Sequence, residues 1–264
     1  MRVGILGCGY VGGAVRDVLR YAHDVRAHDP AKPALGSADA ALEGADLVFA
    51  CVPTPGTEDG RHDLSCLEAA LADCAVWCAP GTEVVVKSTV PPGTCRSLAG
   101  RYPGIEVVHS PEFLTQRMAL ADFASQRRVV AGTRDGSEPP ALARAVAESL
   151  PGACLQCATW EAAELLKLAV NGTGAVLVSW WNELAQVAAA SGVPFGELRA
   201  LVLGDGRVGP CWSEVPGPDG LPGFGGACLP KDLAALGAHA RRLGVAATVA
   251  GAALEKNREV RGDR

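Results

Sequence analysis

Several features are scarce or missing in this 264-residue chain, and each absence narrows what it can do. No uninterrupted apolar run approaches the roughly 20 residues that a membrane-spanning helix needs, so no membrane partner is expected. Met1-Arg2-Val3-Gly4 already reads as the opening of a strand, so no secretory signal peptide is expected. There is no basic excess: 24 Lys and Arg against 29 Asp and Glu leave a formal net charge of −5. That balance gives no general reason to expect a nucleic-acid partner. The ten cysteines are scattered, and none makes a two-residue spacing matched by a second Cys or His pair elsewhere. Neither a metal site nor a disulfide framework is indicated, and reduced thiols in a cytoplasm are the simplest account. Lysine and methionine are rare, five and two residues beside abundant Ala, Gly and Arg. That contrast reflects the codons of a GC-rich genome and carries no chemistry.

What is present begins at the N-terminus. A hydrophobic content of 48% is ample for a core, and the length allows one large domain or two modest ones. Arg2-Val3-Gly4-Ile5-Leu6 reads as a short buried strand running into Gly7-Cys8-Gly9-Tyr10-Val11-Gly12. A helical pattern follows, with Val11, Val15, Val18 and Leu19 on one face. Asp24-Val25-Arg26-Ala27-His28 then reads as a second strand ending at Asp29, 22 residues beyond Gly7. The glycines let the backbone approach a pyrophosphate at the helix N-terminus, and Asp29 can accept hydrogen bonds from an adenosine ribose. An acidic residue here favours NAD over NADP, although Lys32 lies nearby.

Leu47–Val52, Glu83–Ser88, Glu106–His109 and Arg128–Gly132 continue the strand series, with helical stretches between them. That alternation argues for a Rossmann-type, doubly wound α/β domain with a parallel sheet. Polar or Pro-rich turns follow several strand ends, at Pro53-Thr54-Pro55, Thr89-Val90-Pro91-Pro92-Gly93-Thr94 and Ser110-Pro111-Glu112. Carboxyl ends of strands are where open parallel sheets place their ligands. From about Trp160 the pattern changes to helix, with a long proline-free segment from Glu161 to roughly Ser191. The expected organisation is a nucleotide-binding domain over 1–158 and a mostly α-helical domain over 159–264. Lys167 and Asn171 are four apart on the long helix and share a face, with Glu164 three before Lys167. A solvated salt-bridging face explains this spacing as well as a site does.

Near the other end stands Gly223-Phe224-Gly225-Gly226-Ala227-Cys228-Leu229-Pro230-Lys231-Asp232. The glycines predict a tight turn, Pro230 fits the first turn of a helix, and Asp232 suits that helix's early residues. A thiol is nucleophilic only as thiolate, which helix starts, cations and polar donors favour. A reactive cysteine at a loop-to-helix junction and a small buried cysteine beside an ordinary turn both fit this local pattern.

Taken together, the segments resemble the UDP-glucose/GDP-mannose dehydrogenase family. The resemblance rests on Gly-Cys-Gly-Tyr-Val-Gly, Val52-Pro53-Thr54-Pro55 with Asp59-Gly60 and Asp63-Leu64-Ser65 behind it, and Ser88-Thr89-Val90-Pro91-Pro92-Gly93-Thr94. It continues through Ser110-Pro111-Glu112-Phe113-Leu114, Glu164 to Asn171, Asn182-Glu183, Arg207-Val208-Gly209 and the cysteine segment, all in family order over about residues 1–260. It implies an NAD-dependent, four-electron oxidation of a primary alcohol to a carboxylate, with Cys228 forming a thiohemiacetal and then a thioester. Lys167 and Asn171 would stabilise negative charge on the substrate oxygen. Glu112 would serve thioester hydrolysis, and Thr89 and Asp232 would position water or Lys167. Gly7, Gly9, Tyr10, Val11, Gly12, Asp29, Thr54, Thr89, Gln116 and Lys231 would meet the cofactor. Glu112, Phe113, Leu114, Lys167, Asn171 and Gly225 would meet the substrate, with Arg207 reaching in from a partner subunit. The helical part is then similar to a 6-phosphogluconate-dehydrogenase-like dimerisation domain, and a homodimer is implied.

Three departures from the family pattern stand out. Gln116 replaces a carboxylate and Arg117 a glycine after Glu112-Phe113-Leu114. The stretch Pro216–Pro222 lengthens the interval between Arg207 and Cys228. The chain also stops at Arg264, just where family members continue into a third α/β domain. A natively short enzyme for a nucleoside, modified sugar or carrier-linked alcohol, or a fragment, would account for that. Two rival readings stay open: a two-electron 3-hydroxy-acid dehydrogenase, which shares a Lys–Asn pair four apart, and a non-catalytic NAD-binding homologue. His109, His239 and Trp180-Trp181 are expected to be structural.

Overall fold

The computed structural model describes residues 1–262. They form two compact units: Met1–Pro55 with His62–Lys167, and Gly56–Arg61 with the chain from Leu168 onward. In chain order the first unit holds β1 (Arg2–Leu6), α1 (Tyr10–Leu19), β2 (Asp24–His28), α2 (Ala38–Leu42), β3 (Leu47–Ala50), α3 (Ser65–Trp77) and β4 (Glu83–Val86). It continues with α4 (Thr94–Arg101), β5 (Glu106–His109), α5 (Ala119–Ser125), β6 (Arg128–Thr133), α6 (Pro140–Ser149), β7 (Cys154–Thr159) and the start of α7 (Trp160–Ala190).

The seven strands form one sheet in the order β2-β1-β3-β4-β5-β6-β7. Every residue of β3 and β4 is buried, as expected for strands covered by helices on both faces. Side chains alternate across the sheet. Leu47, Phe49, Val85 and Val108 pack toward α1, α5 and α6. Val48, Ala50, Val84, Val86 and Val107 pack toward α2, α3 and α4. All neighbouring pairs run parallel except β5 and β6, which are antiparallel. The mostly parallel sheet agrees with the doubly wound domain expected from the alternation of strands and helices. Between β5 and β6 stands α5, and β6 enters the sheet from the end at which β5 leaves it. The seventh strand was not anticipated; β7 is an edge strand whose residues are mostly exposed.

The consequence for function is positional. Because β1 to β5 run in one direction, Gly7, Asp29, Cys51, Lys87 and Ser110 all leave the sheet at one edge. The strand order reverses at β1, with β2 on one side and β3 on the other, so a crevice opens at the end of β1.

The second unit contains the rest of α7, then α8 (Phe195–Leu203), α9 (Leu229–Arg242) and α10 (Thr248–Arg261). Its core is Ala175, Val178, Phe224, Leu233 and Ala253. Two buried polar side chains of α7 stitch it together. Ser179 Oγ donates to the Ala253 carbonyl at 2.9 Å, and Asn182 Oδ1 accepts from the Gly223 amide at 3.0 Å. Gly60, at φ +81°, packs close to the Ala234 carbonyl of α9. By length and composition α7 could cross a membrane, because an 18-residue window tolerates the few charges that interrupt its apolar stretches. Over half of that window, 56%, is buried within the protein, which is how a core helix reads.

Candidate active site

The dinucleotide turn is built from the gap between β1 and α1. Gly7 adopts φ +84°, a conformation that side chains other than glycine rarely take, and its amide donates to the His28 carbonyl at 2.8 Å. A Cβ on Gly12 would lie 1.9 Å from the Gly7 carbonyl oxygen, so the first turn of α1 can sit against the turn only as glycine. A Cβ on Gly9 would meet nothing within 4 Å, so the backbone there faces open space. The first turn of α1, which includes Tyr10 and Val11, carries no acidic residue. Its N-terminal amides and dipole therefore remain suited to an anion. Asp29 accepts from the Cys8 amide at 2.7 Å through Oδ2 and from the Ala31 amide at 2.9 Å through Oδ1. The Cys8 amide holds this carboxyl below the usual carboxylate range, against the opposing effect of burial. Asp29 thus clamps the glycine turn from the end of β2. Open backbone, a helix start without acidic residues and a fixed carboxylate together fit NAD.

Beside this turn, after β3 and β4, Thr54 and Thr89 are brought together. The Thr54 hydroxyl donates to the Thr89 carbonyl at 2.9 Å, and His62 Nδ1 donates to the same oxygen at 3.1 Å. Both Thr54 and His62 are buried. Ser88 Oγ, next in line, donates to the Val52 carbonyl at 2.6 Å.

After β5 comes the buried ion pair. Lys167 Nζ lies 3.1 Å from Glu112 Oε1, with side chains only 6% and 7% exposed. The other carboxylate oxygen of Glu112 accepts from the Leu114 amide at 2.6 Å. Lys167 Nζ also stands 5.3 Å from the Phe113 ring centroid, a cation–π contact. Beneath them Lys87 is buried, with Nζ near Ser110 Oγ at 3.3 Å and the Pro111 carbonyl at 3.4 Å. Burial pushes its ammonium down to about 8. Glu164 does not join Lys167. It is fully buried and accepts from the amides of Gly93 and Cys95 at 2.6 and 2.7 Å, at the start of α4. Burial pushes its carboxyl up. The solvated salt-bridging face that the spacing allowed is therefore not what this stretch of α7 forms.

In the second unit, Cys228 is the N-cap residue of α9, partly buried, and its carbonyl accepts the Asp232 amide at 2.9 Å. The Asp232 carboxylate is 1% exposed and takes Asn171 Nδ2 at 2.6 Å on one oxygen and Lys231 Nζ at 2.6 Å on the other. Asn171 is fixed by this bond, because α7 and α9 pack in the same unit. One turn after the loop cysteine at the helix start, the buried carboxylate, the amide locked to it and Lys231 form a pre-organised polar cluster.

Residues 34–150 match the NAD-binding domain of the UDP-glucose/GDP-mannose dehydrogenase family, and residues 161–259 match its central domain. The chain belongs to this family. The dinucleotide turn itself, Gly7 to Gly12, lies ahead of the matched range, so its assignment stands on the geometry above. UDP-glucose 6-dehydrogenase of Rickettsia conorii is 32% identical over 199 residues, which is 74% of this chain and 45% of that protein. The chain spans about half the length of most curated relatives it matches. Among solved structures, a UDP-glucose dehydrogenase from Pyrobaculum islandicum shares 29% identity at a TM-score of 0.85, covering 97% of this chain and 68% of the other. A 3-hydroxyisobutyrate dehydrogenase from Mycobacterium tuberculosis, 24% identical with a TM-score of 0.76, shares the fold over 96% of this chain and 91% of its own.

Not every anticipated residue joins these clusters. Gln116 is exposed, on a segment where neighbouring Thr115 is tied to Asp122 through both its amide and its hydroxyl. Arg207 is exposed and engages both oxygens of Asp205 beyond the end of α8. Gly225 faces the Arg261 guanidinium, which a Cβ there would meet at 2.6 to 2.8 Å. Arg261 in turn binds Asp219 of the lengthened loop at 2.6 Å, and Asn257 holds both the amide and the carbonyl of Phe224. His62, Lys87 and Glu164 also build the site, beyond the residues that the sequence marks. For Lys87 a signal existed: a lysine closing an otherwise apolar strand is unusual in a sheet covered on both faces. For His62 and Glu164 the partners lie 27 to 71 residues away, and no local pattern marks them.

Proposed function

We propose that this chain is an NAD-dependent dehydrogenase that oxidises a primary alcohol, the CH2OH of a sugar or nucleoside, to a carboxylate in two steps. The observation that carries the reading is the start of α9, where Cys228 stands at the N-cap position and buried Asp232 holds Asn171 and Lys231. Family membership and the buried Glu112–Lys167 pair support it. NAD would be held by Gly7, Gly9, Tyr10, Val11, Gly12, Asp29, Thr54, Thr89 and Gln116 of the 1–158 domain and by Lys231 of the 159–264 domain, and would supply the hydride acceptor for both oxidations.

In the first oxidation the alcohol carbon loses hydride and its hydroxyl loses a proton through the Lys167–Glu112 pair, leaving an aldehyde. Lys167 and Asn171 stabilise the alkoxide charge that develops. The Cys228 sulfur then bonds to the aldehyde carbon while its proton passes to the aldehyde oxygen, giving a thiohemiacetal. Loss of the second hydride from that carbon, and of the hydroxyl proton, gives a thioester. Water adds to the thioester carbonyl as Glu112 takes its proton, the carbon–sulfur bond breaks, and the thiol is restored. Thr89 and Asp232 orient water and Lys167. In balance, one alcohol, two NAD+ and one water give one carboxylate, two NADH and three protons. Phe113, Leu114 and Gly225 serve substrate binding, and Arg207 serves the site of a second copy in a homodimer formed through the 159–264 domain. Reduced cysteines and this cofactor suit a cytoplasmic setting.

The rival two-electron reading uses the same Lys167–Asn171 spacing and needs no thiol. Counting products separates the readings when the full chain is screened with nucleotide sugars and nucleosides. Two NADH per alcohol with an acid product supports the cysteine route, and one NADH with a ketone product supports the rival. NAD binding without turnover on any alcohol would leave a non-catalytic homologue.

A further inference from the structure

The dehydrogenase reading leaves one buried charge unused. Lys87, directly after β4, is 5% exposed, and among the described residues no carboxylate lies within 4 Å of its Nζ. An ammonium buried without a direct counter-ion is costly, and an apolar side chain of similar volume would be cheaper there. Its surroundings explain why a charge stands in this place. Nζ reaches Ser110 Oγ and the Pro111 carbonyl, the two groups immediately before Glu112 in the chain. The ionisable groups facing it are Cys51 from the end of β3, His109 and Glu112 from β5 and the turn after it, and Lys167 from α7. Burial pushes the Cys51 thiol up to about 12 and the His109 imidazole down to about 3, so both are neutral near pH 7. Glu112 is the one carboxylate whose field acts on Lys87. Lys87 also lines a small cavity with Leu19, Phe49, Phe123 and the uncharged Gln126, whose buried Nε2 has no partner among the described residues.

We propose that Lys87 is a positioning residue for Glu112: its ammonium pins the Ser110-Pro111 backbone from which Glu112 projects and adds a second buried positive charge that holds the carboxylate in its pairing with Lys167. This deepens the dehydrogenase reading, since it assigns Lys87 to the group that serves thioester hydrolysis. Lys87 gives up its proton at a lower pH than an exposed lysine, so the arrangement loosens as pH rises through about 8.

Two measurements on the full chain test this. The chain has five lysines, so lysine labelled with carbon-13 at Cε gives five resonances, and Lys87→Arg identifies the one that belongs to Lys87. Its midpoint is expected near 8, and in Glu112→Gln it should fall by about half a unit or more, because the carboxylate favouring the charged amine is gone. An unchanged midpoint in Glu112→Gln overturns the proposal. In turnover, Lys87→Met should slow acid formation by about tenfold or more while NAD affinity stays within about twofold of wild type. Lys87→Arg should recover most of the rate and move the alkaline limb of the pH profile above 8, because arginine keeps its proton. Wild-type acid formation and pH profile in Lys87→Met would overturn the assignment. If the unaltered chain oxidises no alcohol, the dehydrogenase reading fails, and the resonance titration alone decides the role of Lys87.

Discussion

Breaking the Glu112–Lys167 pair from either side should cost different amounts, and the difference follows from what each partner keeps. In Lys167→Met the carboxylate retains the Leu114 amide at 2.6 Å, so half of its acceptor capacity stays satisfied. In Glu112→Gln the ammonium keeps a neutral amide and the Phe113 face at 5.3 Å, the latter worth about 0.5–2 kcal/mol. Removing one partner of a buried pair typically costs about 3–5 kcal/mol. With side chains 6% and 7% exposed, little solvent screening reduces that figure here. Lys167→Met is therefore expected near the lower end and Glu112→Gln near the upper end. The double substitution should cost no more than the larger single loss, giving a coupling of at least about 3 kcal/mol. Urea unfolding at pH 7, with the slope held common, measures all four corners of the cycle. A coupling below about 0.5 kcal/mol, or single losses typical of a surface pair, would refute the description of a desolvated pair.

Other outcomes follow from the same structure. Asp29→Ala removes the acceptor for the Cys8 and Ala31 amides and should weaken NAD binding by about tenfold or more; an unchanged affinity by fluorescence titration removes Asp29 from the cofactor site. Gly12→Ala would place a methyl group 1.9 Å from the Gly7 carbonyl and should cost about 1–3 kcal/mol of stability together with most of the NAD affinity, both readable in one thermal-shift titration. His109, fully buried, stays neutral in the folded chain down to about pH 3 because burial disfavours its charged form, while the unfolded chain protonates it near 6.5. The unfolded state then binds the extra proton between those values, so stability contributed by neutral His109 is present above pH 6.5 and lost as pH falls toward 3. The loss is roughly 3–5 kcal/mol and should be absent in the difference curve of His109→Leu; parallel curves for the two proteins would count against it.

Parts of this molecule are legible because their physical demand is local. Gly7, Gly12 and Asp29 serve a single turn, and each requirement, a positive φ, a missing Cβ and a carboxylate at a strand end, is written within 30 residues. The strands β3, β4 and β5 are apolar runs that only a covered sheet can accept, and α7 is marked by helical periodicity without proline. Other parts depend on contacts that sequence distance hides. The reversal at β6 shows only in its pairing with β5, since the stretch from β5 to β6 is as long as the one from β2 to β3. The edge strand β7, Cys-Leu-Gln-Cys-Ala-Thr, has neither a buried face nor clean alternation to announce it. Glu164 was read as a neighbour of Lys167 on the helix, yet its partners are the amides at the start of α4, about 70 residues back. Asp232 was expected to position water or Lys167, and its visible bonds to Asn171 and Lys231 show a carboxylate already anchored inside its own unit. The lengthened loop is legible only as a departure: its residue Asp219 meets Arg261, a pairing that neither segment predicts by itself.

The central claim is covalent, so mass spectrometry of the intact chain during turnover tests it most directly. With an alcohol that yields NADH and Cys228→Ser as the comparison, the account predicts an acyl adduct on Cys228 in the unaltered chain. It also predicts two NADH per acid formed, and loss of acid production in the variant. Full conversion to acid by Cys228→Ser, with no adduct on the unaltered chain, would contradict it.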